Sequence, residues 1–255
     1  MIILPSKVEV HVKPSEFKVH ILPIFEDNYV FILEHLGSRE VVVVDPGDAE
    51  PVLQLLQDHG WTLNKILVTH HHQDHVGGVR QLKETTKCTV IGPRYDQHRI
   101  MGLDQTVEEG DTVSFYGLDF KVWHVPGHTT GHIAYVSEAQ KIVFSGDVLF
   151  GQGCGRVFEG TTTEMFQSLC RFKALDPMCS VYCTHEYTLK NAEFCCIVYP
   201  DNKELANRLL EVQGLRAQGI KTVPLTLGQE LKTNPFLLAR DPTDFGTLRA
   251  KRNVY

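Results

Sequence analysis

The stretch Val68-Thr69-His70-His71-His72-Gln73-Asp74-His75-Val76-Gly77-Gly78 decides how this chain is read. It is entered from Ile66–Val68, apolar at every position and so expected to be a strand buried on both faces. It is left through a glycine pair, after which helical spacing runs over Gly78–Thr86. The histidine cluster therefore occupies a strand-to-helix loop, where α/β proteins place their sites. In an extended segment side chains i and i+2 share a face, so His70 and His72 converge while His71 turns away. Asp74 and His75, past the bend, face another direction and are placed to begin a second metal site about 3.5–4 Å from the first. The competing reading is a solvated histidine-rich loop.

Three further loops supply what two half-built sites lack, and each follows an expected strand. His128 follows Phe120–His124 in Pro126-Gly127-His128-Thr129-Thr130-Gly131, Asp147 follows Ile142–Phe144 in Ser145-Gly146-Asp147, and His185 follows Val181–Cys183 in Thr184-His185-Glu186. Three imidazoles in one shell, two imidazoles and a carboxylate in the other, and one bridging carboxylate suit zinc, iron and manganese alike. His128 and His132 have i, i+4 spacing, but Pro126, Gly127 and Gly131 forbid a helix there, so His132 is read as structural. His124 lies within a strand pattern, and His11, His20, His35, His59 and His98 stand alone. The glycines around Cys154 suggest a tight loop rather than a nucleophile.

Working outward, Lys18–Ile24 and Tyr29–Leu33 flank the turn-prone Glu26-Asp27-Asn28 as a hairpin. Val41–Val44 reads as a strand ending at Asp45-Pro46-Gly47, followed by helical spacing from Val52 to a stop at Gly60. Thr89–Ile91, Val113–Phe115 and Ile133–Val136 are further strands. From Glu164 the pattern turns helical over Met165–Leu175, Ala192–Val198 and Lys203–Gln218, around the short Val181–Cys183 strand. The expectation is an α/β body over 18–175, a mainly helical region over 176–255, and an N-terminal arm over 1–17 with a strand at Val8–Val12.

The 255 residues are 42% hydrophobic and 22% charged, which excludes disordered and fibrous classes. A net charge of -6 argues against a broad nucleic-acid footprint. The apolar opening Met1–Pro5 is too short for a signal peptide, and no run of 18 apolar residues could span a membrane. Seven cysteines without paired short spacings read as reduced thiols, so the expected address is cytoplasmic, with a monomer as the default.

Thr69-His70-His71-His72-Gln73-Asp74-His75 resembles the T-H-x-H-x-D-H signature of the metallo-β-lactamase superfamily, and the three later loops match that superfamily in order. Asp27-Asn28-Tyr29, Gly153-Cys154-Gly155-Arg156-Val157-Phe158-Glu159-Gly160, Thr184-His185-Glu186-Tyr187-Thr188 and Asn234-Pro235-Phe236-Leu237 narrow the resemblance to the glyoxalase II family over roughly residues 18–255. The resemblance implies an αββα sandwich with a helical C-terminal domain over a metal cleft. It implies two divalent ions, zinc foremost. His70, His72 and His128 would hold one, and Asp74, His75 and His185 the other, with Asp147 and a hydroxide bridging. Asp74 and Asp147 are then the catalytic carboxylates, and Arg156, Tyr187, Arg249 and Arg252 the substrate-binding residues.

The implied substrate is a glutathione thioester, foremost S-D-lactoylglutathione, hydrolysed to D-lactate and glutathione in methylglyoxal detoxification. Phe158 departs from the Tyr of some relatives and removes a phenol, and Arg252 stands where Lys is usual, keeping the charge but changing its geometry. Two rival functions are a persulfide dioxygenase of the same superfamily and a non-catalytic protein that binds thiol conjugates.

Overall fold

Two six-stranded sheets stack face to face in this computed structural model, which describes residues 16–255. The arm expected over 1–17, with its strand at Val8–Val12, lies outside the described residues except for Glu16 and Phe17. The first sheet runs β1 (Phe17–Ile24), β2 (Asn28–His35), β3 (Glu40–Val44), β4 (Thr62–Leu67), β5 (Thr89–Pro93) and β6 (Gln105–Val107) in spatial order. It is antiparallel through β3 and parallel thereafter. Helices α1 (Glu50–His59), α2 (Gln73–Val76) and α3 (Val79–Thr86) fall between its strands.

The second sheet contains β7 (Thr112–Phe115), β8 (Leu118–His124), β9 (Ile133–Ser137) and β10 (Ile142–Gly146). After a small hairpin of β11 (Leu149–Phe150) and β12 (Gly153–Cys154), it is completed by β13 (Ser180–Cys183) and β14 (Leu225–Thr226), in the order β14-β13-β10-β9-β8-β7. Because β8 and β10 each run antiparallel to β9, and β13 runs parallel to β10, the carboxyl ends of β8, β10 and β13 leave one edge together. The loops carrying His128, Asp147 and His185 start there.

The unbroken Val41–Val44 run is explained by burial on both faces. Val41 and Val43 join Val30, Ile32, Val52, Leu56, Val79 and Leu82 under α1 and α3, whereas Val42 and Val44 join Phe31, Leu33, Phe120 and Phe144 between the sheets. Each such buried side chain contributes roughly 1.5–3 kcal/mol, so the strand ends that carry the site are firmly anchored. By contrast, β8 alternates from Leu118 to Val122, with Asp119 and Lys121 in solvent.

The remaining helices are α4 (Thr162–Phe172), α5 (Thr188–Val198), α6 (Lys203–Ala217), α7 (Leu227–Thr233), α8 (Pro235–Leu238) and α9 (Pro242–Asn253). A Thr161–Glu164 capping box starts α4. Phe194, Phe236, Phe245 and Leu248 belong to the same apolar cluster as the inter-sheet residues, so the helical region is continuous with the sandwich. Several features depart from the sequence expectation, the β11–β12 hairpin among them. β14 and β6 are too short to carry a period, and α5 starts at Thr188 rather than Ala192 because Thr188 and Asn191, both polar, form its buried face there.

Candidate metal centre

Asp45, at the end of β3 with φ 52°, accepts hydrogen bonds from the Thr69 backbone N–H and hydroxyl, both at 2.7 Å. With its single proton committed to Asp45, Thr69 Oγ1 accepts from His70 Nδ1 at 3.1 Å and leaves His70 Nε2 facing the cleft. His70 Nε2 and His128 Nε2 each lie 3.0 Å from His72 Nδ1, and His128 Nδ1 donates to the Arg156 carbonyl at 2.8 Å. Gly127 makes this approach possible: it adopts φ 144°, and a Cβ there would stand 2.6 Å from Met165 Cβ at the start of α4. Gly146, at φ 50°, is equally confined, 2.6 Å from Thr69 Oγ1 by the same construction.

Asp74, His75 and His185 form the second trio. His185 Nε2 lies 3.4 Å from Asp74 Oδ2 and 3.3 Å from Asp147 Oδ2, while its Nδ1 donates to Asp27 Oδ1 at 3.0 Å. His75 Nε2 is 3.6 Å from Asp74 and 3.4 Å from Asp147 Oδ1. The same Asp147 reaches His128 Nε2 at 3.5 Å, so its carboxylate stands between the trios. A third trio, His70, His75 and Asp147, spans the boundary.

The charges fit a cation. Burial, then the positive fields of neighbouring histidines, pushes His70 well below the ordinary imidazole range and His72 down to about 4, so both rings are neutral and free to ligate. Burial pushes His75 and His185 the same way, but Asp147, with Asp45 beside His75 and Asp27 and Asp74 beside His185, outweighs it. His75 is raised to about 10, and His185 is raised as well. Carboxylates that hold protons on two buried imidazoles provide the negative field a divalent cation needs. The ion-pair partners of Asp147 are His75, His128 and His185. Neither Asp147 Oδ1 nor His75 Nε2 has a hydrogen-bond partner, and His75 Nδ1, though 3.0 Å from Asp45, is not aligned for one. Buried polar atoms left in this state call for a ligand.

His71 turns away to Asp96, 2.9 Å distant. His132 belongs to neither trio: its Nε2 accepts the Asp147 backbone N–H at 3.0 Å and its ring stacks on His70. Sequence reasoning gave no role to Asp27, Asn28, Asp45 or Asp96. For Asp45 and Asp96 the only signal was an acidic residue near a strand end, which looks the same when it merely shapes a turn, and for Asp27 and Asn28 the resemblance of Asp27-Asn28-Tyr29 to the family marked the stretch without giving it a task.

Around the trios opens a cleft of about 360 Å³, lined also by Arg156, Phe158, Tyr187, Asn191, Arg249 and Arg252. Tyr187 stacks parallel on His185 with ring centroids 4.6 Å apart. Phe158, exposed, meets the His72 and His128 rings edge-on. Arg249 is buried and donates to the Cys154 carbonyl at 2.8 Å, whereas Arg252 donates to Asn191 Oδ1 at 3.1 Å. Burial raises the Cys154 thiol to about 11, outside nucleophilic use at neutral pH.

The metallo-beta-lactamase superfamily matches residues 24–185, and the hydroxyacylglutathione hydrolase C-terminus matches residues 186–254. A hydroxyacylglutathione hydrolase of Bdellovibrio bacteriovorus is 47% identical over 92% of this chain and 97% of its own length. The chain belongs to the hydroxyacylglutathione hydrolase family. Among solved structures, ETHE1 from Myxococcus xanthus is 26% identical over 92% of this chain and 91% of its own, with a TM-score of 0.70. Another, solved in a di-iron-bound form, is 27% identical over 86% of this chain and 98% of its own, with a TM-score of 0.62. Both family matches meet within Thr184-His185-Glu186, the loop where the second trio is completed. Among the described residues no helix is long and apolar enough to cross a membrane.

Proposed function

We propose that this chain hydrolyses S-(2-hydroxyacyl)glutathione thioesters, S-D-lactoylglutathione foremost, at a centre of two zinc ions. The carrying observation is that one cleft is lined by His72 and His128 of one trio, Asp74 and His185 of the other and Asp147 between them, with Arg156, Arg249 and Arg252 on its wall. His70, His72 and His128 would hold one ion, Asp74, His75 and His185 the other, and Asp147 both. Two such ions lower the pKa of a shared water toward neutrality and polarise the carbonyl.

The remaining work falls to the chain's own groups. Guanidinium groups at the wall suit the two carboxylates of a glutathione conjugate, which lie remote from the thioester. Tyr187, backed by His185, offers a phenol above the same floor. Burial pushes Asp74 and Asp147 up, but the His185 and His75 contacts outweigh it and hold both below the ordinary carboxylate range. Neither is therefore a proton donor at neutral pH, which a thiolate leaving group does not require.

The di-iron neighbour supports iron as an alternative metal, because the donor set suits both. Residues 18–175 would then be the metallo-β-lactamase-like body, which holds every proposed ligand except His185, and 176–255 the mainly helical region that adds His185 and most of the substrate-binding groups. Seven free thiols support a cytoplasmic address, and the enzyme would act as a monomer on a small molecule. Metal content and S-D-lactoylglutathione hydrolysis, measured on one preparation, test the proposal. Two metals per chain with turnover are expected. One metal, with oxygen consumed on glutathione persulfide, would replace it with the dioxygenase reading.

A further inference from the structure

The β1–β2 turn sits at the surface, with Phe25 60% exposed, yet it reaches the centre repeatedly. Asp27 Oδ1 accepts from His185 Nδ1 and Asn28 Nδ2 donates to Asp74 Oδ2, each at 3.0 Å. Backbone bonds lock the two loops together: Tyr29 N–H to Thr184 O at 2.7 Å and Glu186 N–H to Asp27 O at 2.8 Å, around an antiparallel bridge between Asn28 and His185. Behind them the Tyr29 hydroxyl donates to Glu186, which also accepts the Thr222 N–H. The outer nitrogens of His70 and His128 are held elsewhere, by Thr69 Oγ1 and the Arg156 carbonyl.

We infer that Asp27 and Asn28 are positioning residues for the Asp74–His75–His185 site alone, so that the two metal sites are held by separable parts of the fold. The inference rests on the two-metal reading above. By accepting from Nδ1, Asp27 keeps the His185 proton on that nitrogen and the Nε2 lone pair toward the metal; without it the ring is free to rotate or to carry its proton on Nε2. Asn28 gives Asp74 the anchor that Thr69 Oγ1 gives His70 and the Arg156 carbonyl gives His128. The Asp74 side chain is 38% exposed, against 8% for Asp147, and needs a tether to keep one oxygen in place. Asp45 provides the contrast: it is 1% exposed, supports His70 through Thr69, and lies 3.0 Å from His75, so it serves both sites.

The test uses the full chain loaded with zinc and challenged with graded chelator, reading zinc retained per chain by elemental analysis. In Asp27→Ala and in Asn28→Ala, one equivalent should leave at roughly 10- to 100-fold lower chelator while the other follows the wild-type curve. Asp45→Ala should shift both equivalents. Asp27→Asn, which retains an oxygen for the imidazole N–H, should return the curve toward wild type, a rescue that general unfolding would not permit. Simultaneous loss of both equivalents in Asp27→Ala, or no shift in either, overturns the inference. Wild-type protein holding only one zinc would instead overturn the two-metal reading, a result distinct from both.

Discussion

At the floor of the cleft His70, His75 and Asp147 are buried against one another, whereas at its rim Arg156 and Phe158 stand in solvent. At the floor, three rings are fixed by a hydrogen bond at the nitrogen that faces away from the ligand cluster: His70 by Thr69 Oγ1, His128 by the Arg156 carbonyl and His185 by Asp27. The rim is fixed more loosely, by the Tyr187–His185 stack and by single guanidinium contacts such as Arg252 to Asn191. On the proposed function, chemistry that requires fixed lone pairs would thus fall among buried, hydrogen-bonded side chains, and recognition of a flexible conjugate among more exposed ones.

The strongest test of that contrast is Asp147→Ala. Removing the one carboxylate within reach of both trios should bring zinc per chain toward zero and abolish turnover. His132→Ala, which removes no ligand but loses the acceptor of the Asp147 backbone N–H and the ring stacked on His70, should cost roughly 10- to 100-fold in metal affinity or activity. Equal metal loss in the two variants, by elemental analysis, would remove the distinction between a ligand and its support.

Floor and rim were also unequally legible in the sequence. His70, His72, Asp74, His75, His128, Asp147 and His185 could be singled out because ligand-type residues at the ends of strands have few other reasons to recur in that order. Their supports could not be. Asp45 and Asp27 are ordinary turn formers by sequence, and only the pairing of β2 with the Thr184–Glu186 loop brings Asp27 to His185. The fold was readable wherever an apolar run or a period was long enough to show, as in Val41–Val44 and Lys203–Ala217, and unreadable in β11, β12 and β14, which have two residues each. At the rim, the family resemblance pointed to Arg249 and Arg252, and both line the cleft, but a sequence match could not show that one is buried.

That burial makes the two arginines unequal. Arg252→Ala should raise KM roughly tenfold with little change in kcat, the signature of binding made equally in ground and transition states, and high salt should shrink the difference. Arg249→Ala should add a fall in Tm and in kcat, because its guanidinium also ties α9 to the Cys154 carbonyl of the β11–β12 hairpin. Matching kinetic and thermal profiles for the two variants would show that the hairpin tie contributes nothing.

The smallest effect is expected at the outermost pair, Arg99 and Glu159, which supports the His128 loop through the Thr130 N–H. The hydrogen bond from Arg99, outweighing burial, depresses the Glu159 carboxyl to about 2. Because the folded value lies below the unfolded one, this contribution is fully present above pH ~4.5 and is lost as pH falls from there toward 2. Both residues are solvent-exposed, so the shift overstates the energy, and an exposed pair is worth about 0.2–1 kcal/mol. For a chain of this size Arg99→Ala should then lower Tm by no more than about 2–4 °C at pH 7. Melting both proteins in chelator makes metal loss common to them, and the gap should close as pH drops below ~4.5. A gap that stays constant down to pH 3 would mean that Arg99 acts by packing rather than by charge.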